Sequence, residues 1–378
     1  MVLFDLEKLI RQELDAAKWD CTVNDGFPEE HSYIRELKKN QKFTFLSSFK
    51  DSPRYQDILS TVPCSERPPI LLEFYGDAAD RDLMGHTSRN NVIHFTYVRV
   101  LNVHDGCKRG RDQYRVVQLT NKASQTALGY SRTLQMTTSR LRDLVERGIM
   151  YNERKHAVRL ARLQGDALER NAQFGLAENF SRMAFFDVFS YATTSERIAV
   201  QSSHDIVDQT SRKRTRESYQ DDLSKINGSK ITGESDLKRS RGMQNDSVWN
   251  TVDHYHVTQP GAMTTCSSHD LFNGAAREAM GFIIKALTVE KYIEWEDLVH
   301  KINLVQSKTF KGTDKVNWRK FPDKFDQFKK VPGNHASNHN LIRNFNLFFV
   351  GYPREPPDEH AVSKCLLMHF CTCCVLLQ

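Results

Sequence analysis

Holding single-stranded nucleic acid takes cations along a phosphate path and flat rings for exposed bases. Both residue types occur together between Lys42 and Tyr130. The cation candidates Lys42, Lys50, Arg54, Arg67, Arg99, Arg109, Arg111 and Arg115 interleave with the rings of Phe45, Tyr55, Tyr75, Tyr97, Tyr114 and Tyr130. The most informative stretch is Val92–Val100, VIHFTYVRV, whose strict alternation fails around Phe95–Val98, as a bulge or a sharply coiled strand requires. With Val92, Phe95, Val98 and Val100 turned inward, His94, Tyr97 and Arg99 emerge on the opposite surface. They would supply a hydrogen-bonding ring, a stacking ring and a phosphate-binding cation. The plainer alternative is a solvated strand face with a partly buried tyrosine.

Other chemistries fit less well. His254, His256, Cys266 and His269 form a loose group, and Cys365, His369, Cys371, Cys373 and Cys374 bring soft donors together near the C-terminus. Neither set has ligand pairs at the spacing of a zinc finger, so buried or free thiols are expected rather than a metal site. The acidic pairs Asp77/Asp80 and Glu294/Glu296/Asp297 would suit magnesium, but solvated carboxylates are commoner than catalytic ones. No phosphate-binding glycine loop, nucleophile elbow or HExxH motif occurs. The expectation is a binding protein without enzymatic activity or a cofactor.

These residues have to be positioned by strands. KFTFLSSF (42–49), YQDILSTV (55–62), ILLEFY (70–75), VIHFTYVRVLNV (92–103) and QYRVVQL (113–119) read as five strands, separated by Pro53, Pro68-Pro69, Gly85, Gly106 and Gly110. Five closely spaced strands predict a small barrel of the oligonucleotide/oligosaccharide-binding (OB) type, open to a nucleic-acid strand on one side, with a small sandwich as the rival. Before it, Leu3, Leu6, Leu9, Ile10 and Leu14 recur at helical spacing. After it, alanine, arginine and glutamate between Tyr151 and Phe189 predict helices.

Between Ser202 and Ser247 the chain loses dense apolar clusters and reads as a disordered basic linker. It carries Arg212, Lys213, Arg214 and Arg216 and, after a spacer, Lys238, Arg239 and Arg241, two basic clusters that fit a nuclear import signal. Apolar patterning then resumes. The predicted organisation is mixed α+β: a helical extension (1–41), an OB-like domain (42–148), a helical extension (149–201), the linker (202–247) and a partly helical interaction domain (248–378).

Composition agrees with two domains. The sequence has 378 residues, of which 39% are hydrophobic and 26% charged, too apolar for a wholly disordered chain. The 53 Lys and Arg exceed the 47 Asp and Glu by 6, an excess that gains meaning only where it is concentrated. No run approaches the roughly 20 apolar residues of a membrane span, and the cysteine spacing fits a reducing, intracellular compartment better than a secreted scaffold.

Asn91–Val100 resembles the fourth-strand signature of telomeric single-strand-binding OB-folds, with His94, Phe95, Val98, Arg99 and Val100 matching in kind. Tyr55–Pro69 sits where that family has its second strand and turn, although Pro63-Cys64-Ser65 departs from the turn. Gln113–Leu119, then Gly129-Tyr130-Ser131-Arg132 and Leu141–Leu144, are similar to the end of the second OB domain in the protection-of-telomeres family, with Ser131 in place of a glycine. The resemblance covers residues 42–148 and one OB-fold where the family has two. It implies a nuclear protein at the telomeric region of chromosomes that binds single-stranded telomeric DNA, protects chromosome ends and regulates telomere length or telomerase access. Arg54, Tyr55, His94, Tyr97, Arg99, Arg115 and Tyr130 would contact DNA, and the C-terminal half would dock telomere-associated proteins. The alternatives are a non-telomeric nuclear single-strand binder and a nuclear interaction scaffold.

Overall fold

The computed structural model describes residues 1–30, 32–40, 48–80, 92–103, 114–176, 214–226, 242–265, 280–281, 284 and 294–309. The chain divides into two compact units, Met1–Thr265 and Cys266–Gln378.

The first unit is built on a six-stranded open sheet of order β1-β4-β3-β2-β7-β8. Its strands are β1 (Val2–Leu3), β2 (Ile70–Asp80), β3 (Val92–Val100), β4 (Arg115–Asn121), β7 (Val158–Gly165) and β8 (Met263–Thr265). β2, β3 and β4 form an antiparallel meander, whereas β7 runs parallel to β2 and β8 parallel to β7. A parallel partner needs a crossover. Here the chain passes through α4 (Lys122–Leu128), α5 (Tyr130–Arg147) and a small hairpin of β5 (Ile149–Tyr151) and β6 (Arg154–His156) before entering β7.

This sheet overturns the expected OB barrel. β1 and β8 are the two ends of the strand order and do not pair with each other, and two of the pairings are parallel, so the sheet stays open. With the barrel goes the resemblance to telomeric OB-fold proteins, since the motifs that carried it implied a closed barrel and lie instead in an open mixed sheet and its helices. One of those strands is a helix. Tyr55–Val62 lies largely in α3 (Pro53–Ser60), because Ser52 caps the helix by accepting from the Tyr55 amide and Pro53 occupies its first turn. Tyr55 and Ile58, three residues apart, then face inward together. Of the proposed strand 42–49, residues 42–47 lie outside the described residues and Phe49 opens a short 3-10 turn.

β7 replaces helix in the other direction. VRLARLQG is rich in good helix formers, yet six of its eight residues are buried because the strand lies between β2 and β8 with material on both faces. Burial overrides intrinsic propensity there. On one side of the sheet Leu72, Phe74, Val98, Val100, Val117, Leu160 and Leu163 join Leu6, Ile10 and Leu14 of α1 (Leu6–Ala16) and Leu134, Leu141 and Leu144 of α5 in the main core. Asp5 starts α1 by accepting from the Lys8 amide at 3.0 Å. On the other side Leu71 and Ala161 pack under Phe27, Tyr55, Ile58 and Val62. That cover meets the sheet at its Leu71 end, leaving the stretch beyond Glu73 half-exposed.

Part of the stretch read as a linker is built into this core. The helix α7 (Arg216–Ile226) buries Tyr219 and Leu223, Met243 and Trp249 are fully buried, and the Trp249 ring lies 5.0 Å from that of Phe74. Tyr219 explains the attachment: its hydroxyl donates toward the Phe174 carbonyl at 3.1 Å and accepts from the Ser247 amide at 2.8 Å. Gly175 caps α6 (Ala167–Phe174) at φ +86°, and a Cβ there would sit 2.2 Å from the Asn245 carbonyl oxygen. Gly175→Ala should therefore cost about 1–3 kcal/mol, through both the left-handed backbone and the clash. A urea titration of the variant would show it, and a midpoint equal to that of the parent would contradict it.

In the second unit, α8 (Trp295–Thr309) buries Leu298, Val299 and Ile302, and Met280 and Ile284 are buried too. Among the described residues no helix is long and apolar enough to cross a membrane.

Candidate functional site

The half-exposed face of the sheet is ordered by register. Glu73 on β2 lies opposite Arg99 on β3 and beside Arg162 on β7, so one carboxylate stands between two guanidinium groups on flanking strands. Glu73 is 0% exposed. Arg162 Nε donates to its Oε2. The Tyr114 hydroxyl donates to Oε1 at 2.6 Å, and Arg99 Nε lies 2.6 Å from the same oxygen as an ion pair. Gln164 Oε1 is 3.2 Å from the Tyr114 hydroxyl. Burial first and the adjacent Glu73 carboxylate second push the Tyr114 phenol up, so it stays protonated and keeps donating.

Rings continue the face. Tyr75 and Tyr97 are direct cross-strand partners with centroids 5.9 Å apart, and Tyr114 lies 5.9 Å from Tyr75 and 6.4 Å from Tyr97. Phe95 and Tyr97, two residues apart on β3, stand within 10° of parallel at 5.7 Å. All four rings are half-buried rather than enclosed. The Arg99 guanidinium sits 4.9 Å from the Tyr114 centroid, and that of Arg162 5.7 Å from Phe49. The result is an aromatic platform bordered by two oriented arginines with a net charge of +1 in the Glu73 triad. Such a surface can bind an anion that carries flat groups.

Among the sequence candidates, Tyr97 and Arg99 share this face. His94 does not, because β3 keeps its alternation against β2 without a shift, placing His94 with Thr96, Val98 and Val100 on the side of the main core and Phe95 beside Tyr97 on the open side. The irregularity expected within β3 instead falls on its neighbour, where Tyr97 pairs with Val116 but Thr96 with Gln118. Arg115 pairs with Glu13 of α1 on the core side, and the Tyr130 hydroxyl donates to Glu169. Arg54 and Tyr55 are both 2% exposed. Tyr55 donates to Asp25 at 3.2 Å, with burial and that carboxylate pushing its phenol up. Of the import clusters, Arg214 is buried and Arg216 exposed, while Arg212, Lys213, Lys238, Arg239 and Arg241 lie outside the described residues.

Sequence reasoning passed over Glu73 and Arg162. The available signal for Glu73 was a lone carboxylate inside the apolar run ILLEFY, which a central strand tolerates only when it is paired. Arg162 lay in a stretch read as helical, so its alignment with Glu73 was invisible.

Of the carboxylates considered for magnesium, Asp77 lies on the open face with Glu73 and Tyr75, and Glu294, Glu296 and Asp297 belong to the second unit. No group of three His, Cys, Asp or Glu side chains that could hold a metal occurs among the described residues. His256 Nδ1 is 2.7 Å from the Thr258 hydroxyl and its ring abuts Tyr219. Cys266, His269 and the C-terminal Cys/His set lie outside the described residues.

No protein-family model matches the chain, and no curated protein matches it significantly.

Several histidines make the fold sensitive to acid. Burial, with a smaller contribution from Lys122, pushes His94 down to about 4, and burial also lowers His156, His254 and His256. Below the ordinary histidine range near 6.5, the unfolded chain takes up protons that the folded chain refuses, so stability falls as pH drops from about 6.5 to about 4. The urea midpoint should decline across that window, and His94→Gln should flatten the decline. An unchanged slope in the variant would remove His94 from this role.

Proposed function

We propose that the chain binds single-stranded nucleic acid across the open face of its sheet, with Tyr75, Phe95, Tyr97 and Tyr114 meeting bases and Arg99 and Arg162 meeting the backbone. The observation that supports this reading is the adjacency of four half-buried rings and two arginines on neighbouring strands. Stacking tolerates any base because every base has a π face, and arginine forks match phosphate oxygens. Duplex would fit less well, since its bases are already stacked and its edges lie in grooves.

The test is fluorescence anisotropy with the full chain and labelled single-stranded DNA, single-stranded RNA and duplex, at low and high salt. Single strands should bind more tightly than duplex, with affinity falling as salt rises. Tyr97→Ala should lose about 1–3 kcal/mol, roughly five- to 150-fold, while Tyr33→Ala, on an exposed residue of α2 (Ser32–Asn40), should not change it. No measurable binding, or binding that Tyr97→Ala leaves intact, would refute the proposal. In the first case a protein-interaction role for the same face becomes the better reading.

A further inference from the structure

We infer that Glu73 is a positioning residue that presets Arg99 and Arg162 as a clamp for one phosphodiester of the bound strand; the inference rests on the binding reading above. Two guanidinium groups on strands flanking the same residue repel each other and, without an anchor between them, would turn apart toward solvent. Glu73 prevents this. It stands in register with both, accepts a hydrogen bond from Arg162 Nε, forms an ion pair with Arg99, and is itself completely buried. Each guanidinium is also flanked by a ring, Tyr114 for Arg99 and Phe49 for Arg162, which restricts its rotation.

A carboxylate so placed is a poor device for stability alone, because burying it costs several kcal/mol before the pairing offsets that cost. Its other effect is geometric. A guanidinium has five N–H donors in a fixed plane, so the hydrogen bond at Nε sets the direction of the terminal nitrogens of Arg162, while the ion pair with Glu73 and the Tyr114 ring 4.9 Å away restrain those of Arg99. Two such groups around one anchor match an anion with several acceptor oxygens, which in a nucleic acid is the phosphodiester. Tyr114 completes the device by donating to the Glu73 oxygen that Arg99 approaches, at 2.6 Å.

Charge and geometry predict opposite results when Glu73 is neutralised. Glu73→Gln raises the charge of the Arg99–Glu73–Arg162 triad from +1 to +2 and leaves Asp77 on the same face unchanged. If the arginines acted only as diffuse positive charge, binding would tighten and its salt dependence would steepen. If Glu73 positions them, binding weakens by about tenfold, about 1.4 kcal/mol, despite the added charge. The experiment measures oligonucleotide affinity across salt for the full chain, Glu73→Gln and Arg162→Lys, with folding of each verified by circular dichroism. Arg162→Lys keeps the charge but loses the planar fork, so it should also bind about tenfold more weakly with a near-parental salt slope. Should Glu73→Gln not fold, Arg162→Lys decides alone. Parental or tighter binding by the folded variants, in a protein whose binding still depends on Tyr97, overturns the clamp and leaves the binding reading standing. Loss of the Tyr97 dependence in the parent would overturn the binding reading itself.

Discussion

Arg54→Ala should lower the free energy of unfolding by about 3–5 kcal/mol, among the largest single-residue losses in this fold. Arg54 is 2% exposed, yet among the described residues no carboxylate accepts a hydrogen bond from it. Its Nε donates to the Ala161 carbonyl at 3.2 Å, Nη2 to the Leu160 carbonyl at 3.0 Å and to that of His254 at 3.4 Å, and Nη1 to Gln259 Oε1 at 2.8 Å. Burial pushes its pKa down, opposed by the nearby Tyr255 and Asp57. The placement is explained by the sheet. β7 shifts register against β2 between Leu160 and Arg162, an irregularity that takes backbone groups out of the ladder, and Arg54 reaches from α3 to satisfy them. Truncation leaves three carbonyls without this donor and a void beside Tyr255, whose ring lies 5.4 Å from the guanidinium. Urea unfolding measures the loss. Arg54→Lys should fall between, since one ammonium cannot span the four acceptors. A loss below about 1 kcal/mol for alanine would mean that water replaces the side chain. Because Arg54 serves the interior, the folded variant should bind oligonucleotide as the parent does.

The same register shift shows what the sequence could convey. β2, β3 and β4 were legible because ILLEFY, VIHFTYVRV and QYRVVQL carry β-branched and aromatic residues between breakers. α1 was legible from Leu6, Ile10 and Leu14. The closure of the sheet was not, because strands counted along the chain carry no statement of which edges meet. β7 escaped because its leucines, alanine and arginines are good helix formers, and its parallel pairing with β2 joins segments too far apart to leave a hairpin signal. α3 was misread because Tyr55, Ile58 and Val62 also suit a strand; Ser52-Pro53 was the cue that decided it. At the site, Tyr97 and Arg99 could be singled out from one strand's own sequence. The role of Glu73 could not, since it depends on Arg162, a residue 89 positions away.

Asp222→Ala should cost about 3–5 kcal/mol by taking its carboxylate from the buried Arg214 guanidinium, whereas Arg214→Met/Asp222→Leu should lie within about 1 kcal/mol of the parent. Both side chains of the pair are 0% exposed, with Arg214 Nη1 3.2 Å from Asp222 Oδ2. The Arg214 guanidinium also sits 5.7 Å from the Phe174 ring, and Lys225 Nζ reaches the other Asp222 oxygen at 3.5 Å. The contrast between single and double variants follows from solvation: one lost partner leaves the other desolvated for nothing, while apolar replacements of similar size remove both penalties. Chemical denaturation of the three proteins decides it, and equal stability of Asp222→Ala and the parent would show that Arg214 turns out to solvent when released. The outcome bears on the expected import signal, because Arg214 belongs to the basic cluster read as one yet is bound within the fold through α7. An import receptor can grip Arg214 only if the 214–226 segment first leaves the core, and Tyr219, held by Phe174 and Ser247, opposes that release. Asp222→Ala should therefore increase proteolytic cleavage within 214–226, and the double variant should not.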